Sequence, residues 1–300
     1  MDRLDTLRLF TRIVERGSFN QAAAELGIPR ATATHAIKAL EQRLGARLLE
    51  RTTRQVRPTL DGRAFHERCQ RILADLEEAE GALSMPSADP HGTLRVDLQG
   101  SHASLVILPR IAEFHRRYPR IVLRISSGDR LVDLLGEDID CVVRAGQPRD
   151  SSLVARRLAA LPEVICASPD YLERAGSPRH PDELLKHQAV GFFSTGSDNR
   201  YPFTLEVDGA VREYPAAGWI TVSDAAHYSL CALQGCGLIQ VPRYHVEDYL
   251  RDGRLRQVLG DWPCPALPVS VLYPYHRQLS PRVKVFVEWL VALYAERFPD

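Results

Sequence analysis

The stretch Gly17–Gly45, GSFNQAAAELGIPRATATHAIKALEQRLG, constrains the fold most, because only Gly27-Ile28-Pro29 separates two helical patterns. Ser18 is placed to cap the first, and Gln21 three residues on completes a capping box. Ala22, Ala23 and Leu26 form its apolar side, and alanine there lets a second helix cross closely. Gly27 suits the left-handed residue that closes a helix, and Pro29 suits the first position of the next. Upstream, Leu4, Leu7, Phe10 and Val14 recur at helical spacing, so residues 3–15 are expected to be an amphipathic helix. Two helices joined by so short a turn form a helix-turn-helix.

The following helix, expected over residues 29–44, has Ala33, Ile37, Leu40 and Leu44 on one stripe. Its other side shows Ala31, Thr34, His35, Lys38 and Gln42, which are small, hydrogen-bonding or cationic. Such side chains reach base edges and phosphates in a major groove. An isolated helix with this face would be read as merely solvated; the short turn, the small second helix and the local charge favour DNA. In Ala46–Gly62, Leu48, Leu49 and Val56 can pack inward while Arg51, Arg54 and Arg57 cluster around a turn. That is a basic hairpin suited to the sugar-phosphate backbone. Residues 1–60 hold eleven Arg and Lys against six acids, a net +5, so the rest of a chain of zero formal charge carries −5. A polyanion partner is expected for the head alone. The candidate DNA contacts are Arg30, Ala31, Thr32, Thr34, His35 and Lys38 on the helix, with Arg51 and Arg54 on the hairpin.

The run from LRLFTRIVERGSFNQAAAELGI through ATATHAIKALEQRLGARLLERTTRQVRPTLDG resembles the N-terminal domain of the LysR-type transcriptional regulators, and the similarity extends through the whole chain. The resemblance implies an all-α winged helix-turn-helix over residues 1–60. One departure stands out: the family usually begins its recognition helix Ser-Gln-Pro-Ala, where this chain has Pro29-Arg30-Ala31-Thr32. Arginine pairs with guanine O6 and N7 where glutamine pairs with adenine, so an altered half-site is expected.

Residues 61–84 are expected to be one helix. Phe65, Cys69, Ile72, Leu76, Ala79 and Leu83 repeat with spacing 4-3-4-3-4, a seam for a partner helix. The alternative is an amphipathic helix packed on its own domain. By resemblance, residues 61–85 are the linker helix of a homodimer or homotetramer, which requires paired half-sites on double-stranded DNA. A Pro-rich joint follows at Met85–Gly92.

Beyond Thr93, apolar strands alternate with helices, the rhythm of a largely parallel sheet. Strands are expected at Leu94–Leu98, Ile121–Ile125, Ile139–Val143, Val164–Ala167, Ala189–Phe193, Ile220–Val222, Leu238–Val241 and Val269–Tyr273. Helices are expected at Ser104–Arg117, Leu131–Gly136, Asp224–Gln234 and Pro281–Arg297. The resemblance implies a periplasmic-binding-protein-like α/β effector domain of two subdomains, residues 90–161 with 267–300 and residues 162–266. Ligands of such sheets settle beyond the strands' carboxyl ends. The candidate effector contacts there are Ser101, His102, Ser127, Asp129, Arg144, Phe193, Ser194, Ser223 and Asp224.

By resemblance, the position of Ser101 helps hold an effector carboxylate, and that of Asp129 is often Ser or Thr. Aspartate there would repel an anion unless Arg144 or His102 compensates. A polar, cationic or zwitterionic effector is therefore expected over a simple acid. Each residue also has a plainer reading: Asp129 as a helix cap, His102 as a surface turn histidine, Arg144 as a partner in an internal salt bridge.

No GxSxG, HExxH, Walker or GxGxxG pattern occurs, and Ser101-His102 adjacency is poor geometry for a nucleophile and its base. The chain is therefore expected to be no enzyme, although an enzyme-like body with a DNA-binding appendage, or an architectural DNA binder, would share some of these features. Six cysteines without CxxC spacing imply no zinc site and suit a reducing cytoplasm. No cofactor is expected. The N-terminus lacks the apolar core of a signal peptide, and no run of about eighteen apolar residues could span a membrane. The resemblance adds RNA polymerase as a contact.

Overall fold

Asp2 and Gly17 set the limits of the first helix. The Asp2 side chain accepts a 2.7 Å hydrogen bond from the Asp5 N–H, and Gly17 closes the helix with φ of 60°. The computed structural model describes residues 1–51, 56–84, 90–127, 139–146, 153–193, 199–274 and 280–299, except for the side chains of 51, 71, 74, 75 and 77–84. The chain divides into two units, Met1–Ala88 and Asp89–Asp300.

The first unit contains α1 (Arg3–Arg16), α2 (Phe19–Glu25), α3 (Arg30–Leu44), β1 (Leu49–Arg51), β2 (Val56–Pro58) and α4 (Leu60–Ser84). Ser18 caps α2 by accepting from the Gln21 N–H at 3.4 Å, and Gly27 turns the chain with φ of 64°. Pro29 sits one position earlier than expected: with ψ of 142° it is still extended, so Arg30 is the first helical residue. Leu9, Phe10, Ile13, Ala22, Ala23, Ala33, Ile37 and Leu40 close over one core. Leu44 departs from the expected stripe and is 42% exposed, because the chain turns away at Gly45.

Two contacts fix the hairpin to the helices. The Glu41 carboxylate accepts from the Leu48 and Leu49 N–H groups at 2.8 and 3.1 Å. Thr59 donates its hydroxyl to the Arg47 carbonyl at 2.7 Å and accepts from the Gly62 N–H at 2.9 Å. A Cβ at Gly62 would lie 1.9 Å from the Leu48 carbonyl oxygen, so only glycine permits this approach.

The second unit begins with β3 (Gly92–Leu98) and a helical run comprising α5 (Gly100–His102), a π-turn at Ala103–Ile107, a 3-10 turn at Leu108–Arg110 and α6 (Ile111–Arg117). The expected single helix at Ser104–Arg117 thus starts earlier and is irregular, in keeping with Pro109, which lacks an N–H for the ladder. Then come β4 (Ile121–Ser127), β5 (Cys141–Ala145), β6 (Leu153–Leu161), β7 (Glu163–Ala167), α7 (Pro169–Ala175), β8 (Val190–Phe192), β9 (Phe203–Val207), β10 (Ala210–Tyr214) and β11 (Ile220–Val222). The unit ends with α8 (Ala225–Leu233), β12 (Ile239–Pro242), α9 (Arg243–Arg251), β13 (Arg256–Val258), β14 (Leu267–Pro274) and α10 (Pro281–Arg297). The expected helix at Leu131–Gly136 and most of the Met85–Gly92 joint lie outside the described residues.

Among the described residues the main sheet has the order β4-β3-β5-β14-β6. Strand β3 runs parallel to β4 and β5, whereas β14 lies antiparallel between β5 and β6. The chain returns here after building its second core, which is why an otherwise parallel sheet carries a reversed strand. Phe114, Phe286, Leu290 and Tyr294 pack with Leu94, Val96 and Val271. The second half is built on β7 between antiparallel β12 and β13, beside the parallel pair β8 and β11.

Glu163, the first residue of β7, accepts a 2.9 Å hydrogen bond from Gln240 Nε2. Burial nonetheless pushes its carboxyl up to about 7. The fold therefore favours the protonated form, so this contribution to stability is fully present below pH 4.5 and is lost as pH rises through 7.

Two predictions result. Gly62→Ala costs about 3 kcal/mol or more, whereas Gly45→Ala, strained only by its positive φ, costs about 1–2 kcal/mol; equal losses in urea titrations would contradict the close approach at Gly62. Glu163→Gln leaves Tm nearly unchanged at pH 4 and raises it at pH 8 by the equivalent of about 1–3 kcal/mol. A Tm gain independent of pH would show that the carboxyl is not the cause.

Candidate nucleic-acid interface and effector cleft

In the first unit, α3 divides as its spacing predicts. Ala33 and Ile37 are fully buried and Leu40 nearly so, while Arg30, Ala31, Thr32, His35 and Lys38 are exposed and Thr34 is half-buried. The exposed face carries a guanidinium at its start, an imidazole and hydroxyls in the middle, and an ammonium one turn on. Such a face can donate to guanine, accept from or donate to other base edges, and meet phosphates. In the hairpin, Glu50 pairs with Arg57 across the strands, and Arg57 is exposed. The Arg51 side chain and the whole of Arg54 lie outside the described residues. Sequence reasoning missed Glu41, which seats the hairpin; its signal was an acid on an otherwise basic helix.

Helix α4 corrects part of the expected seam. Cys69 is fully buried in the first unit's own core, and Phe65 packs there with its ring 5.5 Å from that of Phe10. The helix crosses α1, so these two positions are occupied within the chain. Leu73, off the seam, is buried as well. Ile72 is 48% exposed and Leu76 half-buried, whereas the side chains of Ala79 and Leu83 lie outside the described residues.

In the second unit the ends of three elements converge. A Cβ built at Gly100 would lie 3.6 Å from Ser127 Oγ and 3.9 Å from Asp224 Oδ2, so the start of α5, the end of β4 and the cap of α8 meet at one place. Asp224 Oδ1 accepts from the Ala226 and His227 N–H groups, both at 2.9 Å, which leaves Oδ2 facing Gly100. The ring of His227, largely exposed, lies 3.7 Å from the same Oδ1. Ser223 is half-buried beside Asp224. Phe193, also half-buried, donates its N–H to the Val222 carbonyl at 3.1 Å, so its backbone adjoins Ser223. Ser101 lies within α5 and is half-buried. Asp129 and Ser194 lie outside the described residues.

His102 and Arg144 are corrected. His102 is 2% exposed, neither on the surface nor in an open cleft. Its Nδ1 lies 3.0 Å from the Tyr294 hydroxyl and 3.3 Å from that of Tyr244. Burial, with His245 and Arg144 nearby, holds its pKa down to about 3, so the ring is neutral. Arg144 is the internal salt-bridge partner. Its guanidinium donates to the Asp97 carboxylate, to the Asp97 carbonyl at 3.2 Å and to the Val143 carbonyl at 2.9 Å. The signal missed was Asp97 itself, an acid in the buried strand LRVDL, which requires a cation. Neither residue is free to compensate a bound anion.

Comparison with known proteins fits both units. Residues 4–63 match the model of the bacterial regulatory helix-turn-helix protein, lysR family, and residues 87–295 match the LysR substrate binding domain. The chain is 36% identical over 296 residues to the uncharacterized HTH-type transcriptional regulator YhjC of Escherichia coli (strain K12), covering 99% of each chain. It is 39% identical over 297 residues to the HTH-type transcriptional repressor PA14_22550 of Pseudomonas aeruginosa (strain UCBPP-PA14), covering 99% of this chain and 93% of that one. The solved structure of CrgA, a LysR-type regulator from Neisseria meningitidis, superposes with a TM-score of 0.60 at 31% identity, covering 98% of this chain and 99% of the other. These are regulators rather than enzymes, which removes the reading of an enzyme-like body. The helix-turn-helix, the α/β body and their order along the chain together make this protein a member of the LysR family of transcriptional regulators, with a DNA-binding head and a small-molecule effector domain.

Proposed function

We propose that the protein reads paired half-sites near a promoter as a homodimer or homotetramer, and that a cationic or zwitterionic effector held at Asp224 shifts its output. The observation that carries the effector class is electrostatic. Asp224 turns a carboxylate oxygen toward Gly100 and Ser127, while Arg144 is saturated by Asp97 and His102 is neutral. A bound anion would meet Asp224 with Arg144 already paired and His102 uncharged; an amine would meet a counter-ion. The shift in output requires the effector to bind the assembly's states unequally.

Self-association is supported by two surfaces. Ile72 and Leu76 of α4 remain for a partner helix. Among the described residues strand β4 is an edge of the main sheet, with Val122 60% and Ile125 38% exposed; Leu105 and Leu108 are exposed as well. Unpaired apolar edges of this kind invite pairing with a second copy. The site of action is the cytoplasm, and RNA polymerase is a contact at the promoter. Among the described residues no helix is long and apolar enough to cross a membrane.

Arg30→Ala and His35→Ala each relax preference at one base pair, by about 1–3 kcal/mol in competition binding. Uniform weakening over all sequences would remove these residues from base readout. Arg51→Ala and Arg54→Ala weaken every duplex and lower the slope of log affinity against log salt by about 1 each. For the effector, a thermal-shift screen of the full chain against amines, amino acids and organic acids yields its largest shifts with the first two classes. Asp224→Asn, which keeps the helix cap, abolishes them; a dominant response to simple acids overturns the charge assignment.

A further inference from the structure

Helix α8 ends in a closure with chemical consequences. Gly235 takes φ of 71°, its N–H donates to the Ala232 carbonyl at 3.0 Å, and the Cys236 N–H donates to the Cys231 carbonyl at 3.1 Å. These are the 5→2 and 6→1 bonds of a Schellman motif, which sets the side chains three positions before the helix end and two positions beyond the cap against each other. An apolar pair usually occupies those positions; here both are cysteines.

Both thiols are half-exposed, whereas Cys69, Cys141 and Cys166 are buried. A disulfide needs Cα atoms about 4.4–6.8 Å apart, and the 6→1 bond from the Cys236 N–H folds the chain back over the turn that carries Cys231. A cation adjoins the pair: Arg174 Nη2 donates to the Gly235 carbonyl at 3.0 Å, immediately before Cys236.

We propose that Cys231 and Cys236 form a redox-active pair that closes to an intramolecular disulfide under hydroperoxide and locks the C-terminal end of α8. The Cys236 thiolate attacks one peroxide oxygen; the O–O bond breaks, water leaves and a sulfenic acid forms. The Cys231 sulfur then attacks the sulfenic sulfur, the S–O bond breaks and a second water leaves. The two thiols lose two electrons and two protons, and hydrogen peroxide is reduced to two waters. A short, exposed bridge of this kind suits reversible sensing in a reducing compartment better than structural stapling. The other end of α8 carries Asp224, so the lock acts on the helix that borders the cleft. That coupling rests on the effector reading above; the disulfide does not.

The reduced full chain is treated with hydrogen peroxide, alkylated under denaturing conditions and digested with trypsin. Glu213–Arg243 contains no internal Lys or Arg, so both cysteines fall in one peptide. The expected product is that peptide unalkylated and lighter by two hydrogens, restored to double alkylation by dithiothreitol. Cys231→Ser and Cys236→Ser each abolish it, and Cys264→Ser leaves it unchanged. Full alkylation after peroxide, or oxidation that stops at one sulfinic acid, overturns the proposal. In parallel, peroxide slows hydrogen exchange over residues 230–236 in the wild type and not in Cys236→Ser; equal exchange in the two overturns the lock. Both readouts follow the thiols and the helix alone, so they are independent of whether Asp224 holds the effector.

Discussion

The buried carboxylate of Asp97 organises the effector domain. Asp97 is 4% exposed and engages Arg144 of β5 while accepting a 2.5 Å hydrogen bond from the Ser126 hydroxyl of β4. One side chain of β3 thereby ties together the carboxyl ends of three neighbouring strands. Removing either charge would strand the other in a dry site, at a cost of about 3–5 kcal/mol. The same contact bears on the effector class proposed above, because an arginine held by its neighbours is not available to an anion.

The DNA-binding head is built on a different logic, with Arg30, His35 and Lys38 of α3 exposed. Ala33, Ile37 and Leu40 anchor α3 in the core, and its polar face stays open. Precision comes from the supports. Glu41 pins the hairpin backbone, and Gly62 lets α4 approach the Leu48 carbonyl to the limit of contact. A small core of this kind fixes the angle between the helix and the hairpin through backbone hydrogen bonds rather than through bulk.

Periodicity made much of this legible. The cap at Ser18, the stripe of α3, the βα rhythm and the helix beginning at Asp224 follow from spacing and turn chemistry, while the return of β14 with α10 was implied by the family resemblance. The failures have physical causes. Strand β6 carries Arg156 and Arg157 at its centre and so hides its alternation, which an exposed edge strand tolerates. The β9–β10 hairpin turns on Asp208-Gly209, both with positive φ, a local signal that was passed over. His102 and Arg144 were placed by their neighbours in sequence, but their partners Tyr294 and Asp97 lie 192 and 47 residues away. Long-range polar pairing leaves no periodic trace.

Phe65 and Cys69 give α4 a double allegiance. Its first turns complete the hydrophobic interior of the reading head, while Ile72 farther along is exposed. A head excised at residue 60 would lose part of its own floor. Recombination that exchanges heads between such regulators must therefore carry the opening turns of this helix across the junction, and the natural seam for modular exchange lies inside the helix rather than at its start.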